Sequence, residues 1–268
     1  MRPFLRSSLL AFSALALTLA FALCAAARAA IVLKHRGTPI IENAPTATFD
    51  GASDYLEATS SGPTGLADSK VFTLAFWLNM GAGTDNGSYG IFYAKTSGGS
   101  LRFRVMRQTV NDIQVIAYNN SNGAILSMTA GSFGENDGWV HFAMRVDLSD
   151  SGKREVRVDG QVSAATWSIY TDDTIDFVST SAVYQIGAYN GANRLNGSLA
   201  LFFLDDIYVD DLLVFYDPAT SKPRDLGSIG TNAPFYLSLE GSGDTWARNS
   251  GAGPDFTVTG ALGSTTSP

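Results

Sequence analysis

Short apolar runs recur along this chain, separated by clusters of Gly, Ser, Thr, Asn and Asp every 8–12 residues, and no long segment carries helical periodicity. A chain written this way has strands too short and too numerous for one open sheet, so it must stack two sheets or close a barrel. The clearest run is Val71-Phe72-Thr73-Leu74-Ala75-Phe76-Trp77-Leu78. Alternation puts Phe72, Leu74, Phe76 and Leu78 on one face and Thr73, Ala75 and Trp77 on the other. Residues 88–95, 101–107, 112–118 and 124–128 continue the series. In the run 139–147, Val140, Phe142, Met144 and Val146 share a side. Glu155-Val156-Arg157-Val158 leads into Asp159-Gly160, a two-residue hairpin signal because Gly tolerates positive φ. Residues 184–187 and 198–204 give two further strands.

The final stretch differs in character. Asp205-Asp206-Ile207-Tyr208-Val209-Asp210-Asp211 reads as an acidic loop, with Asp210 as the expected cap of a short helix through Phe215. Pro218 and Pro223 interrupt the chain, and residues 235–239 and 256–259 are expected as late edge strands. The strand pattern suggests an all-β sandwich or barrel, with a short helix in a C-terminal extension.

Residues 1–29 read as a cleaved signal peptide. Arg2 and Arg6 form a positive start, Leu9 to Leu23 is uncharged, and Ala25 to Ala30 offers an A-x-A site with cleavage after Ala29. The apolar run is shorter than the roughly 20 residues that a membrane span needs. Cys24 follows Leu23, a poor lipoprotein signal, so it belongs to the discarded peptide and the mature chain has no disulfide. Losing Arg2, Arg6 and Arg28 from 18 basic residues leaves 15 against 25 acidic ones, a net charge of −10. Such a surface repels nucleic acid and anionic membranes. The remaining residues, 30–268, are expected to form one exported domain, with its core over residues 46–204 and an extension over 205–268.

Three segments carry a family resemblance. Phe49-Asp50-Gly51-Ala52-Ser53-Asp54-Tyr55-Leu56 is followed by Phe72-Thr73-Leu74-Ala75-Phe76-Trp77. Trp139-Val140-His141-Phe142-Ala143 precedes Val156-Arg157-Val158-Asp159-Gly160. Ile186-Gly187-Ala188 leads to Asn196-Gly197-Ser198-Leu199-Ala200. In order and spacing over residues 46–204 they resemble the laminin-G-like branch of the concanavalin A-like lectin/glucanase superfamily. Residues 217–260 resemble an extension of some bacterial and phage-associated relatives. The resemblance implies an all-β, two-sheet antiparallel jelly-roll sandwich, a fold whose members commonly bind glycans or proteins at the concave face or rim loops, often near calcium. A fold so widely reused does not fix a function.

Glucanases of that superfamily alternate catalytic carboxylates along one strand, as E-x-D-x-E. Here Glu135-Asn136-Asp137 begins that spacing, but Trp139 stands where the second acid belongs. Glu155, Arg157 and Asp159 share a face with an arginine in the middle. The only histidines are His35 and His141, and no G-x-S-x-G elbow, phosphate loop or zinc spacing is present. The sequence therefore reads as that of a non-enzyme.

The candidate ligand-binding residues are Trp139, His141 and Arg145, which alternate opposite Val140, Phe142 and Met144, with Arg104 and Arg102 joining them if their strands are neighbours. Aromatic rings and donors suit sugars. The alternative is that Trp139 and His141 only pack and the arginines are solvated. For calcium, Asp50 and Asp206 are the candidate ligands, with Asp54 and Asp205 nearby in sequence; no loop has EF-hand spacing, so a site must assemble across the fold. The expected function is a secreted binding or adhesion module recognising a glycan or a surface protein. An envelope or phage-derived assembly component is the alternative, and a divergent glycoside hydrolase stands third.

Overall fold

The computed structural model describes residues 39–60, 66–177, 182–238, 247–265 and 267–268. The signal-peptide segment 1–29, His35 and Leu239 lie outside the described residues. In chain order the strands are β1 (Ala47–Asp50), β2 (Tyr55–Ser60), β3 (Val71–Met80), β4 (Tyr89–Thr96), β5 (Leu101–Arg107) and β6 (Ile113–Tyr118). Next come β7 (Ala124–Ala130), β8 (Trp139–Asp147), β9 (Arg154–Val158), β10 (Gln161–Val162), β11 (Ala165–Tyr170) and β12 (Ala182–Ile186). The last are β13 (Asn196–Asp205), β14 (Tyr216–Asp217), β15 (Lys222–Pro223), β16 (Phe235–Leu237) and β17 (Thr257–Thr259). The short helix α1 covers Ser228–Asn232.

Two antiparallel sheets stack. Sheet I has seven strands in the order β1-β13-β3-β8-β9-β10, with β16 also pairing with β13. Sheet II has eight, in the order β11-β7-β6-β5-β4-β12-β2-β17. The expected faces meet between them: Phe72, Leu74, Phe76 and Leu78 from β3 join Val140, Phe142, Met144 and Val146 from β8 in one buried cluster. Phe72 reaches across to Phe103 of sheet II with ring centroids 5.1 Å apart, and Phe92 meets Phe202 at 5.2 Å. Each such ring, fully buried, contributes on the order of 1.5–3 kcal/mol. The Asp159–Gly160 turn closes β9 onto β10 with φ of 49° and 71°, the positive pair a tight hairpin needs.

Two features depart from plain alternation. β13 carries a bulge: Ala200 faces Trp77 and Phe203 faces Ala75, so Leu201 and Phe202 together oppose Phe76. Leu201 sits at φ 50°, and the extra residue turns Phe202 and Leu204 into the core. Beyond β13, the Asp210 cap expected from the sequence is corrected to Asp211, which accepts from the Leu213 N–H at 3.0 Å and opens a single 3-10 turn, Leu212–Val214. Position 211 immediately precedes the turn, where a side-chain acceptor meets an orphan N–H.

The segment 206–217 then runs as a strap over the outer face of sheet I. Thr73 Oγ1 donates to the Ile207 carbonyl at 2.8 Å and accepts from the Val209 N–H at 3.0 Å. Tyr216 stacks on Trp77 at 5.5 Å, and Phe215 meets Phe203 at 4.9 Å. This covering explains why β3 is buried on both faces. The rest of the tail returns to the sheets: β16 pairs with β13, and β17 pairs with β2 as the expected edge strand.

Candidate functional site

The residues singled out from sequence divide between the two sheets. Trp139, His141 and Arg145 do share the outer face of β8, but the strap lies over that face. His141 is 1% exposed, with its ring 5.0 Å from Trp77 and 5.4 Å from Tyr216. Among the described residues neither imidazole nitrogen has a hydrogen-bond partner, and burial pushes its pKa down to about 3. A neutral, enclosed ring is packing material here. Arg145 donates to the carbonyls of Val209 and Asp210 and to Glu155, and lies 4.9 Å from the Tyr208 ring centre. It holds the strap down. Trp139 is half-buried at the start of β8, opposite Asn79.

Arg102 and Arg104 do not join Arg145: β5 pairs with β4 and β6 in sheet II, whereas β8 pairs with β3 and β9 in sheet I. Arg102 pairs with Asp176 at 2.6 Å. Asp50 and Asp206 are also separated. Asp50 pairs with Asn196, the first residue of β13, and Asp206 follows its last, which puts them roughly 30 Å apart at about 3.3 Å per residue. They cannot ligate one calcium ion. Asp50 instead closes its own turn, accepting from the N–H groups of Ser53, Ala52 and Asp54 at 2.7, 2.8 and 3.1 Å, and these bonds hold its pKa well below the usual range. Asp54 accepts from the Ala261 N–H at 2.8 Å, and Asp206 from the Ala67 N–H at 2.9 Å. Among the described residues no three His, Cys, Asp or Glu side chains cluster as a metal site.

The acids weighed for hydrolysis are likewise occupied. Glu155 is gripped by Arg145 on one oxygen and by Arg157 at 2.6 Å on the other. Glu135 accepts from the Thr84 N–H at 3.0 Å. A glycosidase needs one of its carboxyl groups protonated beside the leaving oxygen and the other free to attack or to activate water. An acid clamped between two guanidiniums does neither.

What the fold assembles instead is a rim. At one end of the sandwich the turns after β1, β3 and β12 meet around an open cleft of about 370 Å³. Its wall comprises Gly51 and Ala52, Gly87 to Tyr89, and Gly191 to Arg194, with no acidic side chain among them. The middle loop is set by Arg107, fully buried. Its Nη1 donates to the carbonyls of Thr84 and Gly87 at 2.7 and 2.9 Å, its Nε to that of Phe133 at 3.1 Å, and its Nη2 to Asp85 at 3.1 Å. Its guanidinium lies 5.5 Å from the centre of the Tyr89 ring that walls the cleft.

The third loop, Gly187 to Arg194, is pressed onto sheet II. A Cβ at Gly90 would come within 2.4 Å of the Ala188 backbone, so only glycine lets the loop pass. The Gly90 N–H donates to the Asn193 carbonyl at 2.7 Å. Tyr189 packs edge-on to Tyr93 at 4.7 Å, with the Arg104 guanidinium 5.7 Å from its ring centre. Lys95 donates to Asn190 Oδ1 at 2.5 Å, and the Gly191 N–H donates to Gln185 Oε1 at 2.9 Å. Of the residues expected to bind ligand, Arg104 alone sits here. Tyr189 and Arg194 were not singled out because 189–194 reads as a spacer between two matched motifs, and Tyr89 and Tyr93 because they read only as residues of the strand 88–95; the run of Asn and Gly around one Tyr and one Arg was the available signal.

Residues 50–207, more than half of the chain, match a laminin-G-type family described as the concanavalin A-like lectin/glucanases superfamily. The chain belongs to that superfamily. Among solved structures, a SAP-like pentraxin from Limulus polyphemus, a heptamer, is similar at TM-score 0.51 and 13% identity over 83% of this chain and 94% of its own. A protein from Bacteroides ovatus proposed to bind carbohydrate is similar at TM-score 0.50 and 14% identity over 84% of this chain and 60% of its own. At such identities the likeness establishes the laminin-G-like sandwich fold and nothing about ligand. No sequence relative is found among curated proteins.

Proposed function

We propose that this laminin-G-like chain is an exported, non-catalytic module that binds glycan at its rim cleft. The observation that carries the reading is the cleft itself. Three loops from separate strand pairs enclose a polar hollow that offers a tyrosine ring, an arginine and backbone groups but no carboxylate. Sugar rings stack their apolar faces on aromatics while their hydroxyls need fixed hydrogen-bond partners. The grip of Arg107 on the Thr84–Tyr89 loop supports a preformed site, which lowers the ordering cost of binding.

A glycan is favoured over a surface protein because the large hydrophobic residues exposed among the described ones, Val110 and Val162, make no broad apolar patch. The clamping of Glu155 between Arg145 and Arg157 supports a binding role rather than hydrolysis. Among the described residues no helix is long and apolar enough to cross a membrane. Export rests on residues 1–29, and mass spectrometry of the mature protein is expected to find its N-terminus at Ala30.

The test is a glycan array followed by thermal melts with each hit, in calcium and in chelator. A ligand that binds the folded state alone raises the midpoint. Tyr89→Ala is expected to weaken the best hit by about tenfold, the loss of a stacking contact worth ~1–2 kcal/mol, while keeping the ligand-free midpoint within a few degrees. No hit under either condition would sink the reading.

A further inference from the structure

We infer that the saccharide is acidic, and that Arg104, Lys95 and Arg194, gathered around the Gly187–Arg194 loop, receive its carboxylate or sulfate groups. This rests on the glycan-binding reading above. It starts from charge accounting in a chain with 25 acidic and 18 basic residues, where a cation would be expected to find an acid easily. Eight of the thirteen described lysines and arginines do so, each within 4.0 Å of a carboxylate oxygen. Five do not: Lys95, Arg104, Arg154, Arg194 and Arg248. Arg154 lies over the rings of Trp167 and Tyr170, and Arg248 is on the exposed surface. The other three converge on one loop.

Each of the three has only neutral acceptors among the described residues. Arg104 Nη2 donates to Gln114 Oε1 at 2.8 Å, while its Nε is buried with no acceptor. Lys95 donates to Asn190 Oδ1 and sits 5.9 Å from the centre of the Tyr93 ring. Arg194 donates to the Ala52 carbonyl and lies 5.5 Å from the centre of the Tyr55 ring, again with a buried Nε lacking an acceptor. Permanent charges held by neutral acceptors alone favour an anionic partner, and a guanidinium fork matches the paired oxygens of a carboxylate or a sulfate. Glu57 stands three strands from Arg104 in the same cross-strand row, and its Oε2 accepts from Gln185 Nε2 at 2.7 Å. Tyr189 is half-buried with the Arg104 guanidinium 5.7 Å from its ring centre, and Lys95 bonds its neighbour Asn190, so a sugar ring and its acidic group can be met together.

The test titrates the full-length protein by calorimetry with three hexasaccharides: neutral glucose-based, uronate-based and sulfated. At least one acidic probe is expected to bind about tenfold tighter than the neutral one, as one charge-assisted contact implies. That advantage should disappear in Arg104→Gln and in Arg194→Gln and persist in Arg154→Gln, a carboxylate-free cation away from the loop. The uronate and sulfate arms separate the two anion chemistries. Equal or tighter binding of the neutral probe overturns the inference and leaves the glycan reading standing. An advantage lost equally in Arg154→Gln also overturns it, since that is the mark of diffuse charge attraction. If no probe binds and the array is also blank, both fall.

Discussion

His141, read from sequence either as a ligand contact or as packing, is a buried neutral ring, which gives the folded state a pH signature. Its folded pKa of about 3 lies below the unfolded value near 6.5. Folding therefore holds off a proton that the unfolded chain accepts, and the stability present above pH 6.5 is lost as pH falls from there toward 3. Between pH 7 and 5 the loss is expected to be about 2 kcal/mol, before most carboxylates titrate. Urea unfolding at the two pH values checks this, and His141→Leu should flatten the difference. Arg107 is the opposite case, a buried charge with each of its three nitrogens bonded. Removing it in Arg107→Met leaves carbonyls of Thr84, Gly87 and Phe133 without that donor and should cost on the order of 3 kcal/mol in chemical denaturation.

Strands were the most legible elements, because period-two alternation survives in any run whose one face is buried. The β3 and β8 faces came out as read, and the Asp159–Gly160 turn was visible from its chemistry alone. Other elements were hidden, β11 and the strap among them. Ala165–Tyr170 forms the edge strand β11, whose alternation is broken by a bulge between Trp167 and Ile169. The strap 206–217 was legible as an acidic loop but not as a cover, since nothing local says that Thr73, Trp77 and His141 are what it covers. Of the site, only Arg104 was legible, because the loops that build the cleft are far apart in sequence. The strap also makes a prediction at its own scale. Gly160 combines φ of +71° with a Cβ position 2.5 Å from the Tyr216 ring, so Gly160→Ala strains the turn and pushes Tyr216 off Trp77. The expected cost is about 1–3 kcal/mol, with faster amide exchange confined to residues 206–217.

At the scale of the molecule, sheet I and sheet II leave different faces for use. The strap closes the outer face of sheet I with Tyr208, Phe215 and Tyr216, while Arg104 of sheet II and Tyr189 of the loop pressed onto it lie beside the open rim. Negative charge dominates the whole chain, yet three cations with no acidic partner among the described residues gather beside that rim. The glycan site proposed above uses the open end of the laminin-G-like sandwich and leaves the strapped face out. The direct measurement is amide chemical-shift mapping of the labelled protein titrated with an acidic hexasaccharide. The account predicts shifts confined to Gly51–Ala52, Gly87–Tyr93, Arg104 and Gly187–Arg194, saturating together. Shifts centred on the strap and β8, or none at saturating ligand, would contradict it.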